Sequence, residues 1–321
     1  EYKLSNGVQV YFKQTDFKDD EILLSANSFG GAILLDSTDY VNARFADELY
    51  AEGGIGSMNK VQLEKFLSDK RTSLNAFIGT YNEGLDGYAS KKDVDYLFQL
   101  LYAHFTAVRE DSIAYRSYVE RFIASNKDRD KYPTTAFVDT VENKLYNDNK
   151  LVTTIKIEDL SALDYARSIE IYKERFANAA DFKFTIVGSI DEETLEPLLE
   201  KYVASLPANK TREKVKRAEP LELKGKDSVR FNKEMQVPAT LVFIRNFTKL
   251  KSSANKLAYF MLNDILDLVY TEKVREEQGG TYGVSTNVKL SKEPTENVLL
   301  TIQFSTDAAK VDALLPIVYA E

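Results

Sequence analysis

The sequence has no cysteine and a single histidine, His104. Catalytic zinc is held by three protein ligands, usually His-rich, and structural zinc by Cys/His sets. Neither set can be assembled here. A Ser-His-Asp triad would have to use His104, and no Gly-x-Ser-x-Gly elbow occurs. His104 follows Leu97 and Leu101 at helical spacing, beside Phe105 and Val108, so the plain reading is a helix residue near the core. Gly53-Gly54-Ile55-Gly56 lacks the Gly-Lys-Ser/Thr of a phosphate loop and follows no strand, so it reads as a loop. No apolar run reaches the ~18 residues of a membrane span. No signal peptide is visible. An excess of basic residues is missing too. The net charge is −8 with 42 Lys+Arg against 50 Asp+Glu, which argues against nucleic acid as the main partner. Lack of cysteine fits both cytosol and periplasm.

A length of 321 residues exceeds what single cores sustain, so two lobes are expected. Val8, Val10 and Phe12 alternate with polar neighbours as a half-buried strand, after a turn at Ser5-Asn6-Gly7. A second strand is expected at 22–28, helices at 39–51 and 59–69, and a strand pair near 73–89. Helices follow at 91–108, 111–127, 134–147 and 159–178, a strand at 182–187 and a helix at 195–206. The first lobe is therefore 1–207. Residues 208–220 turn polar and basic and read as a linker; a short nucleic-acid patch is the other reading. The second lobe, 221–321, has a strand near 240–247 and a helix from Ser253 to about Glu276. That helix is apolar almost all round from Leu257 to Tyr270 and is expected to be buried. Tyr282, Val284, Thr286, Val288 and Leu290 alternate as a strand, and Val298 to Phe304 as its hairpin partner. The chain opens directly in a strand-like run and stops in a helix-like one (311–319), so the second lobe reads as truncated. The fold class is α+β, each lobe an antiparallel sheet with helices on one face. No short repeat period is evident.

Arg275 and Tyr282 flank a Gly-Gly turn. One reading has Arg275 gripping a peptide carbonyl or carboxylate with its planar fork and Tyr282 donating to an oxyanion. In the other, Arg275 is a cation suited to a helix C-terminus, and Tyr282 opens the apolar row it shares with Val284 and Val288.

Residues 274–285, Val-Arg-Glu-Glu-Gln-Gly-Gly-Thr-Tyr-Gly-Val-Ser, resemble the Arg-x6-Tyr segment in the carboxy-terminal half of insulinase/pitrilysin-type zinc peptidases. Leu4-Ser-Asn-Gly-Val-Gln-Val looks like the opening strand of a half-unit in that family. Phe184 to Leu195, continuing to Pro207, looks like the strand-Gly-helix that closes its first lobe. The family's His-x-x-Glu-His motif would fall on Ala43–Leu49. There Arg44 and Glu48 stand for the two histidines and Asp47 for the catalytic Glu. A downstream Glu ligand would fall near Ala124-Ser125. The resemblance implies the half-unit without metal, paired with a homologous zinc-bearing half, in the same polypeptide or as a separate subunit. It implies that Arg275 orients the peptide backbone and Tyr282 stabilises the tetrahedral intermediate. The alternative is an inactive peptide-binding or scaffold half-unit. Bacterial relatives point to periplasm or cell envelope.

Overall fold

The computed structural model describes residues 1–209, 213, 221–222, 224–225, 227–229, 240–249, 255–277, 279, 281–292 and 296–321; of residues 240, 243, 247, 276, 277 and 282 it describes the backbone alone. The chain divides into two compact units, with residues 1–209 in the first and 240–321 in the second. Most of the expected 208–220 linker lies outside the described residues.

The first unit runs β1 (Tyr2–Lys3), β2 (Gln9–Gln14), β3 (Ile22–Phe29), α1 (Tyr40–Gly53), α2 (Lys60–Leu67), β4 (Thr72–Ile78), β5 (Asn82–Ala89) and α3 (Val94–Thr106). It continues α4 (Ser112–Asn126), α5 (Pro133–Leu145), α6 (Tyr165–Arg175), β6 (Lys183–Gly188) and α7 (Glu192–Leu198). Its six strands lie in the order β1-β2-β6-β3-β5-β4. Every neighbouring pair is antiparallel except β2 and β6, which are parallel. This refines the all-antiparallel expectation. A parallel neighbour needs a long crossover, and β6 follows β2 only after the helices between them.

Alternation makes the sheet one-sided. Ile22, Leu24 and Ala26 are buried, while Leu23 and Tyr88, paired across β3 and β5, are exposed on the other face. The inward side packs aromatics. Phe105 meets Phe176 and Phe182 edge to face at 5.6 and 5.2 Å. Fully burying such a ring contributes roughly 1.5–3 kcal/mol. The helices start where side chains can cap them: Asn59 with Gln62 in a capping box on α2, Asp111 on α4, Asp164 on α6 and Asp191 on α7. Gly31 is required by its backbone. Its φ is +69°, and an added Cβ would come within 2.5 Å of the Gly79 carbonyl oxygen.

The second unit runs β7 (Thr240–Lys249), α8 (Lys256–Tyr270), β8 (Thr281–Ser291), β9 (Asn297–Thr306) and α9 (Val311–Ala320), with strand order β7-β9-β8, all antiparallel. α8 continues into a π-helical stretch, Thr271–Glu277. Leu266, Tyr270 and Val274 project from one face of that continuous helix onto Val284, Ile302, Phe304, Leu314 and Val318. The Tyr270 hydroxyl donates to the Val318 carbonyl at 3.1 Å.

One expectation fails here. α8 is not buried all round: Leu257, Met261, Ile265 and Leu268 are 68, 56, 54 and 73% exposed. The three-stranded sheet and α9 can cover only one stripe of a helix, and the remaining apolar positions point away from them.

Candidate functional site

The place expected for the zinc motif is on α1, one turn and a half into the helix, against the edge strand β4. The Arg44 Nη1 donates to the carbonyls of Leu151 and Thr153 at 2.9 and 3.2 Å. Both of those residues are almost wholly buried, so the guanidinium satisfies two acceptors that water does not reach. Burial lowers the Arg44 pKa.

Asp47 turns to the sheet and accepts the Ile78 backbone N–H at 3.1 Å. Burial raises its pKa, against the pull of that hydrogen bond and of Arg44. Glu48 accepts the Tyr118 hydroxyl from α4. Its pKa is also raised, first by burial and then by the Asp47 charge. The carboxylates are therefore held as structural acceptors around a cation.

Ala124 and Ser125, where a further ligand would fall, are exposed. α4 meets α1 instead through Tyr118 and Phe122 on Phe45, at 6.1 and 5.3 Å. No group of three metal-ligating side chains occurs among the described residues. The donor set does not fit zinc, since a guanidinium occupies one ligand position and supplies only donors.

No local pattern marks these partners, because they lie far along the chain from α1. The partners of His104 are unmarked for the same reason. His104 is 4% exposed. Its Nε2 lies 3.2 Å from the Leu74 carbonyl on β4, and its Nδ1 lies 3.3 Å from the Tyr172 hydroxyl. Burial pushes its pKa down to about 4. His104 is thus a neutral core residue, as its helical spacing suggests.

Arg275 lies in the π-helical stretch that ends α8. Such stretches recur at functional sites because they shift side chains out of helical register. Buried Val274 anchors this one. Arg275 is exposed, and its side chain makes no hydrogen bond or ion pair among the described residues. Beyond it, the Lys310 Nζ donates to the Gly279 carbonyl at 3.0 Å. Gly279 has φ of +52°.

Tyr282 is the second residue of β8, and its side chain lies outside the described residues. Between Thr281 and Val284 the register with β9 slips by one residue. A bulge of this kind re-aims side chains and is frequent beside active sites. The Thr281 hydroxyl closes the bulge, donating to the Gly283 carbonyl and accepting the Gly283 N–H at 2.9 and 3.2 Å. The structure brings Arg275 and the start of β8 to one end of the second unit. The α1 cluster belongs to the first.

The comparison with known proteins decides the family. Residues 163–321 match the family described as "Peptidase M16 inactive domain". This stretch is a peptidase M16 inactive domain. The chain is 25% identical over 207 residues to the zinc protease PQQL-like protein of Arabidopsis thaliana, covering 64% of this chain and 19% of that one. It is 21% identical over 318 residues to the probable zinc protease PqqL of Escherichia coli K12, covering 97% of this chain and 33% of that one. The crystal structure of the periplasmic protease PqqL from E. coli superposes with a TM-score of 0.84 at 18% identity, over 98% of this chain and 35% of that one. The M16 inactive domain from Pseudomonas fluorescens gives 0.73 at 14% identity, over 99% and 76%. The chain thus spans a third or less of these curated M16 relatives, and its fold is that of an M16 half-unit. No helix of the described residues is long and apolar enough to cross a membrane.

Proposed function

We propose that this M16 half-unit serves a zinc metallopeptidase as its non-zinc half. It binds the peptide and stabilises the transition state, and a homologous half, in the same polypeptide or as a separate subunit, carries the zinc. The observation that carries the reading is the α1 cluster. At the helix position of the zinc motif, Arg44, Asp47 and Glu48 are all engaged in holding the fold. A half-unit so committed has its chemistry to offer elsewhere, and Arg275 is an exposed cation at the end of the second unit. Its planar fork suits a peptide carbonyl or carboxylate.

In this reading Tyr282 supplies a phenolic donor to the developing oxyanion. The register shift of β8 between Thr281 and Val284 supports it, because bulges are frequent beside active sites. The two-lobe division, with its connector at 208–220, belongs to the same proposal, as does placement in the periplasm or envelope by likeness to E. coli PqqL. The relatives' substrates are not carried over.

The test pairs the chain with its zinc-bearing half. Tyr282→Phe is expected to lower kcat about 10²–10³-fold, the usual effect of removing one oxyanion donor. An unchanged kcat removes Tyr282 from the mechanism. If the paired wild-type assembly binds peptides without cleaving them, the chain is a scaffold half-unit and the peptidase reading fails.

A further inference from the structure

Tyr282 stands in a stretch of β8 that the strand ladder skips. Thr281 pairs with Thr306 of β9, and Val284 with Phe304. Between those pairs Tyr282 and Gly283 face Ser305 alone, the two-against-one count of a bulge. β8 is the edge strand of its sheet, so no described strand holds it from the other side. Both ends of the gap are anchored. Val284 and Phe304 belong to the core of the second unit, and Thr306, opposite Thr281, is buried.

Packing does not fix the middle of the gap. Gly283 is exposed, and a Cβ added there would meet no described atom within 4 Å beyond its chain neighbours. Glycine also has the widest backbone freedom of any residue. One hydroxyl supplies the missing restraint. Thr281 Oγ1 donates to the Gly283 carbonyl at 2.9 Å and accepts the Gly283 N–H at 3.2 Å. Both main-chain groups of the residue after Tyr282 are thus tied to the side chain of the residue before it. Branching at Cβ leaves Thr281 few χ1 rotamers, so the clip across Tyr282 is stiff.

Resting on the reading of Tyr282 as the oxyanion donor, we infer that Thr281 is the positioning residue for Tyr282. Its hydroxyl fixes the backbone on both sides of Tyr282 before a peptide arrives. Thr281 touches no substrate in this role and acts only through Tyr282. An oxyanion donor is effective because it is held in place in advance, and a displacement of about 1 Å can cost about 10²-fold in rate. Valine at this position keeps the branched shape and loses the clip, whereas serine keeps the hydroxyl.

The test is a double-mutant cycle in the chain paired with its zinc-bearing half, read on an internally quenched peptide that the wild-type assembly cleaves. Thr281→Val is expected to lower kcat about 10-fold or more, with KM within about 2-fold of wild type and Tm hardly moved. Thr281→Ser is expected to keep most of kcat. In a Tyr282→Phe background, Thr281→Val is expected to have no further effect. A loss that persists in that background overturns the inference, because Thr281 then acts through something else. So does a wild-type kcat in Thr281→Val when Tyr282→Phe loses activity, because Tyr282 is then placed without the hydroxyl. Failure of Thr281→Val to fold overturns it as well, since the hydroxyl would then serve the fold. If Tyr282→Phe itself keeps kcat, or the wild-type assembly binds peptides without cleaving them, the reading of Tyr282 fails first and takes this inference with it.

Discussion

Replacing Arg44 with methionine tests whether its guanidinium is a structural centre of the first unit. The change keeps most of the aliphatic volume and removes the donors. Leu151 and Thr153 then lose the group that satisfies their carbonyls at 2.9 and 3.2 Å. Hydrogen bonds to charged groups contribute ~1.5–3 kcal/mol net, and unsatisfied buried acceptors cost ~1–3 kcal/mol. The two carbonyls share one nitrogen, and removing a buried cation relieves its own desolvation, so the contributions do not add in full. A net loss of about 2–3 kcal/mol is expected. With a urea m-value of about 2–3 kcal/mol/M, the unfolding midpoint falls by roughly 1 M. Asp47 and Glu48 add a pH signature. Arg44 lowers both of their pKa values, so its loss leaves two neighbouring carboxylates uncompensated while they are ionised. The penalty is therefore larger at pH 7 than at pH 5, where raised-pKa carboxylates protonate more readily. Urea titration followed by circular dichroism at both pH values is the assay. A loss below about 0.5 kcal/mol at pH 7 refutes the reasoning.

Three further outcomes are expected. Asp47→Ala should cost about 1–2 kcal/mol by leaving the Ile78 N–H unpaired, whereas Asp47→Asn, which keeps an acceptor and sheds a buried charge, should be near neutral; equal losses in denaturant titrations would show that the hydrogen bond is not what matters. His104 has its folded pKa depressed to about 4 from 6.5, so its contribution is complete above pH 6.5 and is lost as pH falls from there toward 4, in total by roughly 3 kcal/mol at 1.36 kcal/mol per pH unit. Raised pKa values at Asp47, Glu48 and Glu83 act in the opposite sense, so the His104 share is read as the part of the pH slope that vanishes in His104→Gln, and an unaltered slope contradicts it. Arg44→His combined with Glu48→His restores two imidazoles at i, i+4 yet supplies only two of the three ligands a catalytic site needs; elemental analysis should find no stoichiometric zinc, and one tightly bound ion per chain would show that a third ligand had been overlooked.

Much of the fold is legible along the chain. The alternation at Val8–Phe12 and Val298–Phe304 and the spacing of Leu97, Leu101 and His104 are local signals, and the elements follow them. That one histidine and no cysteine cannot supply the common zinc ligand sets is read from composition alone. Sequence patterning misjudges α8. An apolar circumference says that a helix has no polar face, but not how many neighbours are present to cover it.

Residue identity at short range is enough to set the element types, the two-lobed α+β class, the absence of a metal set and the Arg275–Tyr282 segment. Long-range packing alone establishes what Arg44, Asp47 and Glu48 hold, that β2 and β6 run parallel, and that the register of β8 against β9 slips between Thr281 and Val284. Those facts depend on which distant backbone groups meet. Arg44 finds its carbonyls 107 and 109 residues away, and no pattern within either segment encodes the other.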